Sequence, residues 1–370
     1  MIPLPFTITK RPTMNTRTQL LSRLLAVMLS LVFAGLVLLI FGLDPLKVFP
    51  TMIEGAFGTP LRVQQTIIRA VPLIITSLGI LVAFKMKFWN IGGEGQIVMG
   101  AFGAAFVALN FPTLPSWLLL PAMALAAMVC GAIWALIPAA FKAWLGTNET
   151  IFTLMMNYIA INFVMYLQYG PWRDPNVQGF PKIPIFESAA LLPKVFGIHI
   201  GWIIALVLVV AVYLFMNYTK KGFEISVVGE SKNTARYAGM NIPSIIFVAM
   251  TISGGLCGLV GMIQASGVER TLTYSISAGY GFTAIITAWL SRLNALVVLL
   301  VCFAFAAMLR GAAFLQLEAQ VPSSVAEIIQ GAILLFVLGS EFFLTYRVAL
   351  KKKTGDAEGV QTPDLEGGVA

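Results

Sequence analysis

Three groups of polar side chains interrupt apolar stretches of the sequence, and their residue types are those that could form a hydrophilic path. The first group is residues 90–96 (NIGGEGQ), the second contains the pair Asn157-Tyr158, and the third is residues 275–283 (SISAGYGFT). A polar group at membrane depth is costly unless it is paired or faces an aqueous cavity. We therefore predict that a path is lined or shaped by Asn90, Gly92, Glu94, Gln96, Asn157, Tyr158, Tyr280 and Phe282.

Two of these groups have simpler structural interpretations. Three glycines beside a carboxylate and two amides favour an irregular backbone or a broken helix. Residues 90–96 could equally form a plain cytoplasmic turn beside Lys85 and Lys87. Asn157 and Tyr158 could hydrogen-bond a neighbouring helix instead of facing a substrate.

The residue sets needed for covalent or metal chemistry do not occur. The sequence has no Gly-x-x-x-x-Gly-Lys-Ser/Thr phosphate loop and no His/Cys/Asp/Glu set with metal-ligand spacing. Cys130, Cys257 and Cys302 all lie in apolar runs, which argues against a disulfide framework. His199, the sole histidine, has no acid or thiol near it in sequence, so its expected role is structural. We expect no catalytic residue and no metal.

The carboxylates bear on energy coupling. Ion-coupled carriers usually bury a carboxylate in the middle of a span. Here the relevant carboxylates fall at predicted helix ends, which argues against ion coupling; they are Glu94, Glu149, Glu269, Glu327 and Glu341.

The composition places the polar groups in a membrane protein whose partners include membrane lipids. Hydrophobic residues make up 58% of the 370 residues and charged residues 11%, whereas a soluble domain carries roughly a quarter charged residues. A helix that crosses a bilayer needs roughly 20 mainly apolar residues. We predict an all-α polytopic fold of about ten transmembrane helices: 20–43, 66–84, 92–110, 117–141, 149–169, 199–217, 244–265, 276–290, 293–315 and 325–346.

The basic residues predict the orientation of these helices. With a cytoplasmic N-terminus, the 24 Lys and Arg residues divide sixteen to eight in favour of the cytoplasmic side, as the positive-inside rule requires. This explains the net charge of +8 without a nucleic-acid partner. The predicted domains are a cytoplasmic tail (1–19), a transmembrane domain (20–346) and a second cytoplasmic tail (347–370) without stable structure.

Two loops within the transmembrane domain are too long to be simple turns. Residues 170–198 are external and rich in proline, which predicts a rigid cap. In the cytoplasmic loop 218–243, Lys220-Lys221-Gly222 is expected to end a helix. Ser231 should then cap a helix of about two turns, and Gly239 should stop it. This short helix could dock a soluble partner or be a solvated connector.

Spans two to five and seven to ten form two four-helix halves of inverted orientation. Each half contains one glycine-interrupted group, residues 90–96 or residues 275–283. This pattern is typical of alternating-access transporters. In span seven, a stripe of small residues predicts close packing between helices: Ser253, Gly254, Gly255, Gly258 and Gly261.

Four motifs resemble, in the same order, the membrane permease subunits of bacterial ABC importers for simple sugars and nucleosides, grouped with the ribose and branched-chain amino acid permeases. The motifs are residues 88–96 (FWNIGGEGQ), 146–160 (GTNETIFTLMMNYIA), 228–241 (VGESKNTARYAGMN) and 279–285 (GYGFTAI). The likeness covers residues 60–346 and looks closest to nucleoside permeases. The sequence departs from the usual pattern at Trp89, Gly93 and residues 289–292, which leaves the substrate open.

The resemblance implies that the chain forms the translocation path in the bacterial inner membrane and that ATP binds to a separate ATPase subunit. The other implied partners are a second homologous permease and an extracytoplasmic substrate-binding lipoprotein. Nucleosides or simple sugars suit a path of amides, aromatic rings and hydroxyls. The segment that docks on the ATPase would include Gly229, Glu230, Ala235, Arg236 and Gly239. The alternatives are an ion-coupled transporter acting alone and a membrane-embedded enzyme or scaffold, for which no reactive constellation was found.

Overall fold

The computed structural model describes residues 42–318 without a break, together with residues 6–10, 21, 25, 28, 29, 32, 33, 35–40, 331, 335, 336 and 346–350. The chain forms two units, residues 34–331 and residues 1–33 with 332–370. In the larger unit the α-helices are α1 (Pro45–Phe57), α2 (Pro60–Lys85), α3 (Gly93–Asn110), α4 (Ser116–Leu145), α5 (Glu149–Tyr169), α6 (Gly201–Tyr218), α7 (Lys220–Glu230), α8 (Lys232–Tyr237), α9 (Ile242–Gln264), α10 (Tyr280–Leu290) and α11 (Ala295–Glu318).

Six of the described helices are long and apolar enough to cross a membrane, namely α2, α4, α5, α6, α9 and α11. The π-helical turn Ala265–Glu269 extends α9. The predicted spans 92–110 and 276–290 appear as α3 and as the 11-residue α10, which begins only at Tyr280. The first span is helical at residues 35–40, and most of the tenth, 325–346, lies outside the described residues. The protein is therefore a polytopic helical membrane protein, and the total of about ten spans stays a prediction.

Helix α1 and the first six residues of α2 were not predicted. Asp44 caps α1 by accepting a hydrogen bond from the Leu46 amide at 3.0 Å, and Thr59 caps α2 by accepting one from the Arg62 amide at 3.2 Å. Both helices also begin with proline, which suits a first helical position. Hydropathy missed these segments because they carry polar residues, whereas the caps are local signals that the sequence does contain.

Helices α2 and α9 lie at the centre of the bundle. Most of each apolar window is buried, whereas less than half of the apolar window is buried in α4, α5, α6 and α11, which form the outer layer. The glycine stripe of α9 packs against α4 so closely that a Cβ on Gly258 would clash with the Ala127 carbonyl oxygen. The prediction that this stripe serves close packing is confirmed.

The connection between α6 and α9 contains two helices where one was predicted. Lys220 begins α7 instead of ending α6, because Thr219 caps the new helix by accepting a hydrogen bond from the Gly222 amide at 3.1 Å. Ser231 then caps α8 through the Thr234 amide at 3.2 Å. Gly239 follows with φ +70°, a left-handed stop as predicted.

The segment between α5 and α6 packs against the far end of α9. Its short antiparallel strands β2 (Lys194–Val195) and β3 (Ile198–His199) form a hairpin. The Phe186 amide donates to the Arg270 carbonyl at 2.8 Å, and the Gln168 side chain donates to the Pro181 carbonyl at 3.0 Å. These bonds hold the proline-rich loop against the helix ends.

In the smaller unit, strand β1 (Phe6–Lys10) pairs antiparallel with strand β4 (Tyr346–Leu350). Residues 347–350 were expected to lack stable structure, and they belong to this strand. The rest of the C-terminal tail lies outside the described residues.

Candidate translocation path

The chain folds back into the bundle between α2 and α3. Trp89 packs on Trp289, near the end of α10, with ring centroids 5.6 Å apart. Four residues later, a Cβ on Gly93 would lie 3.3 Å from the Cα of Gly281, at the start of α10. At 1.5 Å per residue, Gly281 and Trp289 are separated by about 12 Å along that helix. Residues 89–93 therefore run antiparallel beside α10, and α3 begins deep inside the protein.

A cluster of side-chain amides supports residues 89–93, the returning segment. The Asn90 amide donates to Gln96 Oε1 at 3.2 Å and to Ser253 Oγ of α9 at 3.0 Å, while Gln96 donates back to Asn90 Oδ1 at 3.0 Å. The Gly92 amide also donates to Asn90 Oδ1, at 3.1 Å. Asn90 and Gln96 are buried, so these bonds replace the water that an irregular backbone would otherwise need.

Asn157 of α5 clamps the same segment from the other side. Its Oδ1 accepts from the Gly95 amide at 2.8 Å, and its Nδ2 donates to the Ile91 carbonyl at 2.9 Å. Thr153, one turn earlier, accepts from the Ile91 amide at 3.2 Å. These contacts correspond to the interhelical role considered for Asn157, and they fix the non-helical turn that precedes α3.

Glu94 joins the first turn of α3 to the first turn of α10. Its Oε1 accepts hydrogen bonds from the amides of Gly281 at 2.6 Å and Phe282 at 3.3 Å. The N-cap residue of α10, Gly279, supplies no side-chain cap. The carboxylate therefore satisfies amides that a helix start leaves open, and its charge complements the positive end of the helix dipole.

The two glycine-interrupted groups thus meet at their helix N-termini. Gly281 lies against the backbone of Gly93 and Glu94, where a Cβ would be 2.8 Å from the Gly93 carbonyl carbon. Broken helices whose N-termini converge inside the membrane are the elements on which many transporters bind substrate. In this conformation the side-chain amides and the carboxylate hydrogen-bond to each other and to the backbone. They therefore shape the place where α3 and α10 meet instead of lining open space.

Three predicted path residues lie at the edge of this arrangement. Tyr280 is half-buried and lies near Gln264, Arg69 and Glu269. The Phe282 side chain is 45% exposed, although its amide binds Glu94. Tyr158 is 56% exposed and makes no contact with the amide cluster that the structure records, so its role in the path stays a prediction.

Some residues of the site were missed by sequence reasoning. Ser253 was included in a packing stripe, and Thr153 was passed over as one hydroxyl in an apolar helix. Both face the returning segment. Position 253 follows an apolar run and precedes two glycines, which was the available signal. Gln264 and Arg69, beside Tyr280, were likewise not singled out.

An aromatic cluster lies where the returning segment starts. Phe84, at the end of α2, has its ring centroid 5.4 Å from that of Trp89 and 5.7 Å from that of Trp289. Both indoles are partly exposed. Together with Phe282 they give α10 an exposed aromatic face.

The predicted ATPase-docking residues divide by burial. Gly229 lies against the carbonyl of Lys85, so α7 packs directly on the end of α2, and Ala235 is buried. Glu230, Arg236 and Gly239 are exposed.

No group of three or more His, Cys, Asp or Glu residues in the described part of the chain could hold a metal ion.

Comparison with known proteins places the sequence among transport proteins. The chain is 34% identical to the glucose ABC transporter permease protein TsgB13 of Haloferax volcanii, over 94% of this chain and 93% of that one. It is 32% identical to the guanosine ABC transporter permease protein NupP of Bacillus subtilis, over 91% of this chain and 98% of that one. It is 28% identical to the nucleoside ABC transporter permease protein NupB of Lactococcus lactis, over 88% of this chain and 92% of that one.

A family model agrees with these relatives. The model describes the permease component of branched-chain amino acid transport systems, and it matches residues 62–338. That range contains the returning segment, α10 and the connection between α6 and α9. The chain belongs to this family of ABC transporter permease components.

Proposed function

We propose that the chain forms one half of the translocation path of an ATP-driven importer for a nucleoside or a simple sugar. The observation that carries the proposal is the meeting of the α3 and α10 N-termini on the Glu94 carboxylate inside a bundle of membrane helices. Movement of α10 away from α3 would free the Glu94 carboxylate and the amides of Gly281 and Phe282. Those groups would then present hydrogen-bonding partners to an uncharged, hydroxyl-rich substrate.

The other wall of the path is a second permease. In the single chain the aromatic face of Trp89, Phe282 and Trp289 is exposed. Indole and phenyl rings that are open on one side can pack on a partner helix and also stack on a sugar or base ring. A second homologous permease would cover this face, and substrate released by an extracytoplasmic lipoprotein would pass between the two chains.

The energy comes from an ATPase subunit that docks on residues 229–241 in the cytoplasm. Helix α7 contacts the end of α2 through Gly229, and α2 carries the packing surface for α10. A force applied to α7 would therefore be transmitted through α2 to the N-termini of α3 and α10. Nucleotide must bind the two transporter conformations with different affinity for this to drive transport.

The docking role is tested by charge reversal. Glu230→Lys and Arg236→Glu are compared with wild type for co-purification of the ATPase from the native host, using an affinity tag on this chain. Loss of the ATPase from a variant that still reaches the membrane in normal amount supports docking. Unchanged co-purification of both variants contradicts it.

The competing function, ion-coupled transport by this chain alone, is favoured by one observation. Glu94 lies at a helix start, as predicted, but it is buried in the protein interior, where ion-coupled carriers keep a carboxylate. Its engagement by two helix amides is the stronger argument for a structural and gating role.

Uptake measurements separate the two functions. A strain that lacks this gene should lose uptake of a labelled guanosine, adenosine, ribose or glucose, and the wild-type gene should restore it. In the restored strain, depletion of ATP should stop uptake, whereas collapse of the ion gradients at constant ATP should not. Uptake into vesicles that contain only this chain, driven by an ion gradient, would overturn the proposal.

A further inference from the structure

A basic pocket lies where α4, α8 and the start of α9 come together. The cavity has a volume of about 290 Å³ and is lined by Lys142 of α4, Lys232 and Arg236 of α8, and the apolar residues around Met240 and Ile246. Lys142 also forms an ion pair with Glu149 at 2.6 Å. Three cations and one carboxylate leave an excess of two positive charges at this site.

The pocket continues into an apolar groove. A second cavity of about 500 Å³ runs along the outward face of α9 and is lined by Phe247, Val248, Thr251 and Ile252. The two cavities share Asn241 and Pro243 at the start of the helix. The repeat of four residues between Pro243, Phe247 and Thr251 places the groove on one side of a helix long enough to cross a membrane.

An aromatic side chain marks the junction of the pocket and the groove. Trp144 is two residues from Lys142, its ring centroid lies 5.5 Å from that of Phe247, and most of its surface is exposed. Tryptophan is enriched at the level of lipid headgroups, where one part of the ring is apolar and the N–H is hydrated. The basic pocket therefore lies at the membrane surface and the groove extends from it towards the hydrocarbon.

We propose that the basic pocket and the adjoining groove bind one anionic phospholipid, with its phosphate at Lys142, Lys232 and Arg236 and an acyl chain along α9. Basic pockets at the ends of membrane helices bind anionic headgroups. The site holds a cation set, an apolar channel of suitable direction and an interfacial tryptophan, which together match a phosphate ester joined to hydrocarbon. A lipid here would bridge α4, α8 and α9 and so connect the α8 segment to the bundle.

The ATPase proposed to dock on residues 229–241 could also bring an acidic surface to this site, but that surface would fit only half of the arrangement. Such a surface could pair with Lys232 and Arg236, which are exposed. It would leave the groove beside Val248 and Ile252 empty, because a soluble protein does not reach the membrane interior. A free phosphate ion would likewise need only the cations. The continuity of the two cavities therefore favours a lipid.

The test is native mass spectrometry of the purified full-length chain in detergent, titrated with phosphatidylglycerol or with phosphatidylcholine of the same acyl chains. Wild type should retain phosphatidylglycerol at least about ten-fold more strongly than phosphatidylcholine. Lys232→Gln combined with Arg236→Gln should remove most of this preference. Val248→Trp, which fills the groove and leaves the cations in place, should weaken binding of both lipids. Lys220→Gln, an exposed lysine at the start of α7, is the matched control and should change nothing.

Each further outcome decides the proposal. Equal retention of the two lipids by wild type, or retention unchanged in the double variant, would overturn it. If inorganic phosphate competes with phosphatidylglycerol and Val248→Trp does not change lipid retention, the pocket is an anion site and not a lipid site. Unchanged lipid retention in the double variant together with loss of the ATPase in cells would assign Lys232 and Arg236 to docking alone. A melting profile for each variant excludes loss of binding through unfolding.

Discussion

At the scale of single residues, several buried polar groups around the start of α3 are paired across long stretches of sequence. Asn90 reaches Ser253, Asn157 reaches Ile91 and Gly95, and Glu94 reaches the amides of α10. Inside a membrane no water is available to hydrogen-bond an unpaired polar group, so each pair removes a large free-energy cost. In the proposed function, the same groups would become available to a substrate only when the helices that carry their partners separate.

Replacement of Asn157 by alanine should therefore destabilise the protein. It would leave the buried Gly95 amide and Ile91 carbonyl without their partners, at a cost of about 1–3 kcal/mol for each unsatisfied group. The control is Asn162→Ala on the same helix, because Asn162 is exposed and its side chain donates only to its own helix, at the Tyr158 carbonyl. Thermal unfolding in detergent should show a lowered midpoint for Asn157→Ala and almost no change of the midpoint for Asn162→Ala. Equal shifts would contradict the clamp.

His199 should make stability depend on pH in a defined direction. Burial, with a smaller contribution from Lys194, lowers its pKa from 6.5 to about 4, and neither ring nitrogen has a hydrogen-bond partner among the described residues. The imidazole of His199 is protonated near pH 6.5 in the unfolded chain but only near pH 4 in the folded chain. Stability is thus complete above pH 6.5 and falls as the pH drops to about 4, by about 3 kcal/mol.

The measurement is the unfolding midpoint of wild type and of His199→Phe between pH 8 and pH 4. Because His199 is the only histidine of the chain, the difference between the two curves isolates its contribution. The variant should lose less stability than wild type over this interval. Parallel curves would show that the folded protein accepts the proton readily.

At the scale of elements, glycine sets how closely α9 approaches its neighbours, and that approach brings Ser253 to the returning segment. Gly131 and Gly258 face each other across the α4–α9 contact, where a Cβ on Gly131 would lie 2.7 Å from the Gly258 Cα. Small residues allow this backbone contact in the absence of a hydrophobic drive between helices. Close packing of α9 is thus a condition for the geometry of the candidate path.

Gly258→Ala should separate α4 from α9 and lower both stability and transport. The added methyl group would clash with the backbone of Ala127, which has no flexible end to move away. Gly255→Ala, one turn earlier, is the matched control, since its nearest neighbour would be 3.8 Å away and alanine is favoured over glycine in a helix by about 0.5–1 kcal/mol. The unfolding midpoint should fall for Gly258→Ala and stay or rise for Gly255→Ala. A rise for both would show that α4 and α9 adjust freely.

At the scale of the whole molecule, two segments near the ends of the chain pair with each other. Strands β1 and β4 pair with a defined register in which Ile8 is opposite Val348. The two cytoplasmic termini predicted from the basic residues stay a prediction. The cytoplasmic assignment itself rests on the positive-inside rule.

Cysteines at positions 8 and 348 should cross-link under mild oxidation. Residues directly opposite in an antiparallel pair have Cα atoms about 4.5–5.5 Å apart, within the span of a disulfide. The control pair is Phe6→Cys with Tyr346→Cys, at opposite ends of the ladder, where four residues of strand place them about 13 Å apart. Cleavage at an engineered protease site in a connecting loop, followed by non-reducing electrophoresis, should leave the fragments joined only for the 8–348 pair. Equal cross-linking of both pairs would contradict the register.

Composition, hydropathy and local spacing were enough to predict the class of the protein, its important polar groups and its short-range features. Hydropathy predicted membrane helices, and Asn90, Glu94 and Asn157 stood out because an amide or carboxylate is costly in such surroundings. Ser231 and Gly239 predicted helix α8, since a cap and a stop involve residues only a few positions apart. Lys220 was misplaced because a lysine pair ends a helix or follows a cap equally well, and Thr219 decided between the two.

The contacts that those groups make depend on how distant helices pack. Glu94 caps a helix that lies 187 residues further along the chain, and no local pattern specifies such a partner. The return of residues 89–93 beside α10 depends on how closely α2, α3, α9 and α10 pack, and that is set jointly by many side chains. Local capping energies are fixed by neighbours in sequence, whereas the pairing of buried polar groups is fixed by the arrangement of whole helices, and so it could not be derived from the residues alone.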